Sequence, residues 1–394
     1  MKRAIAVLAL VGGMAAGYSA VLALGGAPIE PSDTPSPGPM EATRTPPSST
    51  ATPEASTTTT TTIPEPTLET YLIWASGGLP PGLAEGLLGS FGEVTVVKGD
   101  MVEMAGPESW LIPLDALAFD SETVGPFDPA AAVSSLAPGQ VVLSESSAAL
   151  RGTGPNDEMT IGDATFQVAA VVPDAEVAAA EVVFRTDDPE LPVQTDRYAL
   201  VRTDLSRPEF EREVRALHDG GAPLRIRTSE ETPWLRHGDA VLPQVYIKEA
   251  LGEFSYTDAT GTTFEQHSGF RQRWIVTADV PLLGQVTCHE TVVEMLTGAM
   301  DQLSDEGLGH LVDASGHRGC WNPRLIRSVS GEPSGLSRHS WGAAVDLNAT
   351  TNPLGSAGDQ DERLVDVMEA WGFTWGGDWV VPDPMHFEYG RPPE

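Results

Sequence analysis

Ser337-Arg338-His339-Ser340-Trp341-Gly342-Ala343-Ala344-Val345-Asp346-Leu347-Asn348 is the stretch on which the reading of this chain turns. Ala343, Val345 and Leu347 alternate with Ala344, Asp346 and Asn348, the two-residue period of a strand with one apolar face and Asp346 on the other. Along an unbroken strand His339 would face away from Asp346. The two side chains meet only if the chain turns between them, and Gly342 supplies that freedom. A histidine and an aspartate joined this way, among small neighbours, form a candidate pair of metal ligands. A structural hydrogen bond between them is the plainer alternative.

A second stretch lies downstream, Pro382-Asp383-Pro384-Met385-His386-Phe387-Glu388-Tyr389. Phe387 and Tyr389 alternate with His386 and Glu388, which again reads as a strand, with His386 on its polar face. Pro384 disfavours helix at Asp383, so the spacing from Asp383 to His386 is made by an extended bend. His339, Asp346 and His386 would supply three protein ligands and leave one position open, the pattern of a catalytic zinc site. Two carboxylates compete to act as base there, Asp383 before the ligand and Glu388 after it. Trp375 and Trp379 border the bend and are candidates to line a cleft, with core packing the default for both.

Beyond these stretches the composition narrows the function. The chain has 394 residues and a formal net charge of -33, with 23 Lys+Arg against 56 Asp+Glu, and no basic patch offsets that mean. Nucleic acid is therefore excluded as a partner. The region from Asp239 onward holds six of the eight histidines, both cysteines and six of the nine tryptophans, so the chemistry is concentrated there.

The N-terminus is built for translocation. Lys2 and Arg3 precede an uncharged run over residues 4–27, whose ~24 residues span roughly 36 Å as a helix, enough for a bilayer. Pro28 directly after Gly25-Gly26-Ala27 makes a poor cleavage site, which favours a retained signal anchor over a cleaved signal peptide. Residues 28–66 are rich in Pro, Thr and Ser, including the run Thr57 to Thr62, and read as a disordered linker. The rest of the chain then faces an extracytoplasmic, oxidising compartment, anchored to the cell membrane or, if cleaved, secreted. In such a compartment Cys288 and Cys320 read as one disulfide, closing a loop of about 31 residues.

Residues 67–235 read as a separate α+β domain. Strands are expected over residues 71–74, 94–97, 141–143, 166–172 and 198–201, and helices over 83–88, 146–150 and 207–217. Residues 140–150 followed by Met159-Thr160-Ile161-Gly162-Asp163-Ala164-Thr165-Phe166-Gln167-Val168 resemble the extracytoplasmic domain of FtsX/MacB-type permeases. That resemblance implies a partner-binding or positioning module without catalysis. An unrelated spacer domain is the alternative.

Residues 239–394 carry a closer resemblance. Ser337-x-His339-x-x-Gly342-x-Ala344-x-Asp346, with Trp375-Gly376-Gly377-Asp378-Trp379 and Asp383-Pro384-Met385-His386-Phe387-Glu388, is similar to the zinc D-Ala-D-Ala carboxypeptidase and L-alanyl-D-glutamate peptidase family that includes the vancomycin-resistance enzymes. Pro281-Leu282-Leu283-Gly284, Val286-Thr287-Cys288-His289 and Cys320-Trp321-x-Pro323-Arg324 extend the match. The resemblance implies a hedgehog/DD-peptidase-like domain with an antiparallel sheet, Zn2+ held by His339, Asp346 and His386, and Asp383 as the general base. It implies that Arg324 binds the scissile carbonyl oxygen or a substrate carboxylate, and that Ser337 orients His339 or the substrate. Peptidoglycan stem peptides are the implied substrate. A non-catalytic, zinc-stabilised module binding cell wall or a protein is the rival reading. His289, at the head of an amphipathic run, is expected to cap or pack, and His218, His237, His267, His310 and His317 to be solvated or structural.

Overall fold

The computed structural model describes residues 68–127, 131–218, 220, 222–228, 242–257, 261–317, 319–326 and 335–391. The expected membrane segment at 4–27, the linker at 28–66 and His237 lie outside the described residues. Among the described residues no helix is long and apolar enough to cross a membrane. Pro64–Glu394 forms one compact unit of mixed helices and strands, an α+β architecture.

The first lobe of this unit runs β1 (Glu69–Ala75), α1 (Leu83–Ser90), β2 (Glu93–Ala105), β3 (Leu111–Phe119), β4 (Gln140–Ser144), α2 (Glu145–Arg151), β5 (Glu158–Ile161), β6 (Ala164–Val172), β7 (Val182–Arg185), β8 (Asp196–Thr203), α3 (Arg207–Leu217) and β9 (Leu224–Thr228). Its strands follow the order β3-β7-β4-β6-β5-β2-β8-β1-β9, and β3 also pairs with β2, so the first six strands of that order close into a ring. Val102, Leu114, Val141, Phe166 and Phe184 fill the ring. Every expected strand and helix of this region falls within an observed one. β3 escapes the sequence pattern because Pro113 and Asp115 interrupt its apolar run, and β9 because Arg225 and Arg227 do. At α3, Ser206 and Glu209 form a reciprocal capping box that fixes the first turn.

The second lobe comprises α4 (Gln244–Leu251), α5 (Ser268–Trp274), the antiparallel pair β10 (Ile275–Val280) and β11 (Gly284–His289), α6 (Glu290–Asp305), β12 (Ala344–Asp346), α7 (Glu362–Ala370), β13 (Phe373–Trp375) and β14 (His386–Tyr389). β14 lies between β12 and β13 and runs antiparallel to both. In α6, Val292, Met295, Leu296, Ala299, Met300 and Leu303 recur at helical spacing and are all buried. They share one core with Trp341, Val345 and Phe387, so the helix and the three-stranded sheet are held by the same apolar cluster.

The lobes meet across a buried ionic network. Lys248 of α4 is only 1% exposed, with Nζ 2.7 Å from Glu181 Oε1 and 3.0 Å from Glu253 Oε1. Arg151 Nη2 lies 2.6 Å from Glu181 Oε1 and also bonds Glu253, and Gln244 donates to Glu181 Oε2 at 2.7 Å. Burial alone would protonate Glu181, but Lys248 and Arg151 outweigh it and hold the carboxyl below its usual range. Charges this far from water persist only because each meets its opposite.

Candidate metal centre

Residues Arg338–Trp341 form a 3-10 turn, capped by Ser337 Oγ, which accepts from the His339 N–H at 3.4 Å. Gly342 follows in the left-handed region at φ 66°, and a Cβ there would sit 2.6 Å from the His289 nitrogen. The chain therefore turns between His339 and Asp346, and β12 starts two residues later. Asp346 lies opposite His386 in the β12–β14 register, so strand pairing delivers the third side chain. Ligand atoms of His339, Asp346 and His386 all fall within 4.8 Å of one another, and all three residues are buried. His339 Nε2 and His386 Nδ1 stand 3.3 Å and 3.2 Å from Asp346 Oδ1.

The partners behind these groups decide which ring nitrogens are open. His339 Nδ1 donates to the Cys320 carbonyl at 3.0 Å, which leaves the Nε2 lone pair facing Asp346. His386 Nε2 stands 3.3 Å from Glu388 Oε2; donation there leaves its Nδ1 facing the same carboxylate. Glu388 is 2% exposed, and its other oxygen lies 3.8 Å from Arg338 Nε. That guanidinium also donates to Leu242 O at 2.6 Å. Burial opposes ionisation of Glu388, yet His386 and Arg338 hold its carboxyl below the usual range. Asp346 is treated the same way: burial would raise it, but the His339 and His386 rings beside it keep it ionised far below the ordinary carboxylate range. Two imidazoles and one carboxylate form a borderline donor set that suits zinc. The fit is supported by two buried atoms that lack a hydrogen-bond partner among the described residues, His339 Nε2 and Asp383 Oδ1.

Asp383 opens a tight turn that His386 N–H closes by donating to Asp383 O at 2.9 Å, with Pro384 in the second position. The turn is held from one side by Asp383 N–H, which donates to Gly376 O at 2.9 Å, and from another by Trp375 Nε1, which donates to Pro384 O at 2.8 Å. Gly376 has no room for a side chain, since a Cβ would meet Asp383 O at 2.7 Å. Burial pushes the Asp383 carboxyl up, opposed by His386 and reinforced by Asp346, while Arg324 and His339 pull it down. The Trp379 ring stands 5.2 Å from that of His386. At Arg324 the backbone is fixed by Ser340, whose Oγ accepts from Arg324 N–H at 3.1 Å and donates to Arg324 O at 2.9 Å.

A disulfide joins Cys288 to Cys320. His289 caps α6, accepting from Thr291 N–H at 3.2 Å through Nδ1 and donating to Leu251 O at 3.1 Å through Nε2. His267 caps α5, and the rings of His218 and His310 bond nearby backbone carbonyls at exposed positions. The structure brings His339, Asp346 and His386 together, with Asp383 close enough to feel their charges and the Trp379 ring against His386. Glu388 as the partner of His386, Arg338 beside it and the Cys320 carbonyl behind His339 were not expected from the sequence. Only Glu388 had a sequence signal, its two-residue offset from His386 on one strand.

Residues 330–389 match a family model described as D-alanyl-D-alanine carboxypeptidase. A search of curated proteins returns no match. Among solved structures, the chain is similar to the periplasmic region of MacB from Actinobacillus actinomycetemcomitans, with 15% identity over 41% of this chain and 90% of that one and a TM-score of 0.30. It is also similar to the extracellular domain of the noncanonic ABC-type transporter YknZ from Gram-positive bacteria, with 14% identity over 41% of this chain and all 100% of that one and a TM-score of 0.26.

Proposed function

We propose that the second lobe is a zinc-dependent peptidase of hedgehog/DD-peptidase-like fold, working outside the cytoplasm on a peptide bond of peptidoglycan stem peptides. The observation that carries the reading is the buried convergence of His339, Asp346 and His386 beside the unpartnered carboxylate oxygen of Asp383. The family model matched by residues 330–389 supports the same class of chemistry. Membrane attachment through residues 4–27 and a protein partner for the first lobe belong to this proposal.

When bound, zinc supplies Lewis acidity, polarising a carbonyl and acidifying water. His339 Nε2, Asp346 and His386 Nδ1 are the atoms that would hold it, and the Cys320 carbonyl and Glu388 keep both rings turned the right way. Asp383 takes the proton from the attacking water and returns it to the departing amine nitrogen. A carboxyl raised by burial is suited to both transfers. Arg324 carries the fixed positive charge that binds the scissile carbonyl oxygen or a stem-peptide carboxylate. Ser337 acts through His339 by capping its turn, and Trp375 and Trp379 shape the approach.

Mass spectrometry of defined stem peptides incubated with the purified protein and zinc tests this directly. New peptide termini in wild type that vanish in Asp383→Ala, with zinc retained, are the expected result. Binding of stem peptides without new termini would instead make the lobe a zinc-stabilised recognition module.

A further inference from the structure

The segment that leads into Asp383 is gripped by the other lobe. Arg225 of β9 donates from Nη2 to the carbonyl oxygen of Asp378 at 2.8 Å. Val380 packs against the first-lobe cluster that includes Leu72, Trp74, Tyr198 and Leu200. These two anchors arise from one patch of sheet, because Trp74 of β1 lies opposite Arg225 in the β1–β9 register. Trp379 stands between them with an extended backbone, φ -68° and ψ 160°. Successive side chains of an extended segment point to opposite sides. Val380 thus turns into the first lobe while the Trp379 ring turns to His386, 5.2 Å away. The same segment starts at Gly376, whose carbonyl accepts from both Trp379 N–H at 3.2 Å and Asp383 N–H at 2.9 Å. Displacing residues 378–380 would therefore strain the bonds that set Asp383.

We propose that the first lobe is a positioning element of the metal site, with Arg225 and the core around Val380 holding residues 378–380 so that Trp379 and Asp383 face the triad. Arg225 acts through the segment it holds. The catalytic part of this inference rests on the peptidase reading above; the mechanical part does not.

Two readouts on the full chain test it. In Arg225→Ala, kcat on stem peptides should fall roughly 10-fold or more with KM and zinc content unchanged, because a small displacement of a base costs rate rather than binding. Arg225→Lys, which keeps a donor, should restore most of the loss. Independently of activity, hydrogen exchange at the amides of Trp379 and Asp383 should accelerate in Arg225→Ala relative to wild type, and again in Val380→Ala. Unchanged exchange in both variants overturns the proposal, as does an Arg225→Lys variant no better than Arg225→Ala. A wild-type protein inactive on stem peptides would remove the peptidase reading, and the exchange rates alone would then decide whether the first lobe holds the segment.

Discussion

The Cys320 carbonyl oxygen accepts a hydrogen bond from His339 Nδ1 at 3.0 Å, and Cys320 is covalently tied to Cys288 at the end of β11. The disulfide thus reaches the metal centre through one backbone atom. It fixes the loop segment that carries the acceptor, the acceptor fixes the imidazole tautomer, and the tautomer leaves Nε2 free to bind.

Removing the disulfide should therefore weaken metal binding as well as stability. In Cys288→Ser/Cys320→Ser, loss of a crosslink of this loop length should cost about 2 to 4 kcal/mol. Loosening the partner of a liganding histidine should weaken zinc affinity by about 10-fold or more. Competition with a calibrated chelator measures the second effect. A variant that is less stable yet binds zinc as tightly as wild type would detach the crosslink from the site.

Glu388 gives a second test of the same logic at His386. Glu388→Gln keeps the size of the side chain but replaces a carboxylate acceptor with an amide. Zinc affinity should drop about 10- to 100-fold, the usual effect of losing such a partner. The change also leaves Arg338 Nε, 3.8 Å from the lost charge, without its counter-ion, so Arg338→Met in the same background should recover part of the stability. If Glu388→Gln instead retains full zinc affinity and loses only hydrolysis, Glu388 rather than Asp383 is the base.

How much of this was legible in the sequence follows from range. His339, Gly342 and Asp346 lie within eight residues, so alternation and one glycine were enough to require a turn between the ligands. Asp383, Pro384 and His386 are equally local. Glu388 was seen as a rival base because spacing shows that it shares a strand face with His386 but not that it lies against the ring and is sealed from solvent. The Cys320 carbonyl and the grip of Arg225 on Asp378 are backbone contacts over long separations. Any residue presents a carbonyl, so no side-chain pattern marks them. No pattern marks Lys248 as buried for a related reason, since its partner Glu181 belongs to the other lobe.

That buried lysine predicts that the lobes unfold together. Lys248→Ala leaves Glu181 and Glu253 sharing Arg151 alone in a site with almost no water, a loss of about 3 to 5 kcal/mol. Chemical denaturation followed separately by a first-lobe and a second-lobe probe should show one coincident transition, moved to lower denaturant in the variant. Two resolved transitions in wild type would show the network to be dispensable for docking.

His289 sets an acid limit on stability that is separate from the metal ligands. Its Nδ1 must accept from Thr291 N–H while Nε2 donates to Leu251 O, so only the neutral ring satisfies both. Burial, only partly offset by the Leu251 bond, brings its pKa down to about 4. Because the folded value lies below the unfolded one near 6.5, the unfolded chain binds a proton first as the pH falls. The contribution is fully present above pH 6.5 and is lost between there and about pH 4, amounting to roughly 3 kcal/mol. His289→Asn keeps a side-chain oxygen to cap α6 and removes the titration. Its stability should fall less between pH 6.5 and pH 4 than that of wild type in parallel denaturation series. Parallel curves across that window would show that the ring does not titrate there.

Gly342 is where the fold and the site coincide, and it supports the sharpest substitution test. Its φ of 66° costs any side chain roughly 1 kcal/mol, and a Cβ at this position would also lie 2.6 Å from the His289 nitrogen and 3.1 Å from the Cys288 carbonyl carbon. Those atoms are backbone at the end of β11, where the His289 N–H donates to Gly342 O at 3.0 Å, so they cannot rotate out of the way. Gly342→Ala must move the turn itself, which separates His339 from Asp346. The variant should lose zinc affinity by more than its loss of stability explains, whereas Gly284→Ala, also at positive φ but with open space at its Cβ, should lose stability alone. Equal zinc affinity in the two variants would mean that the turn does not set the distance between the ligands.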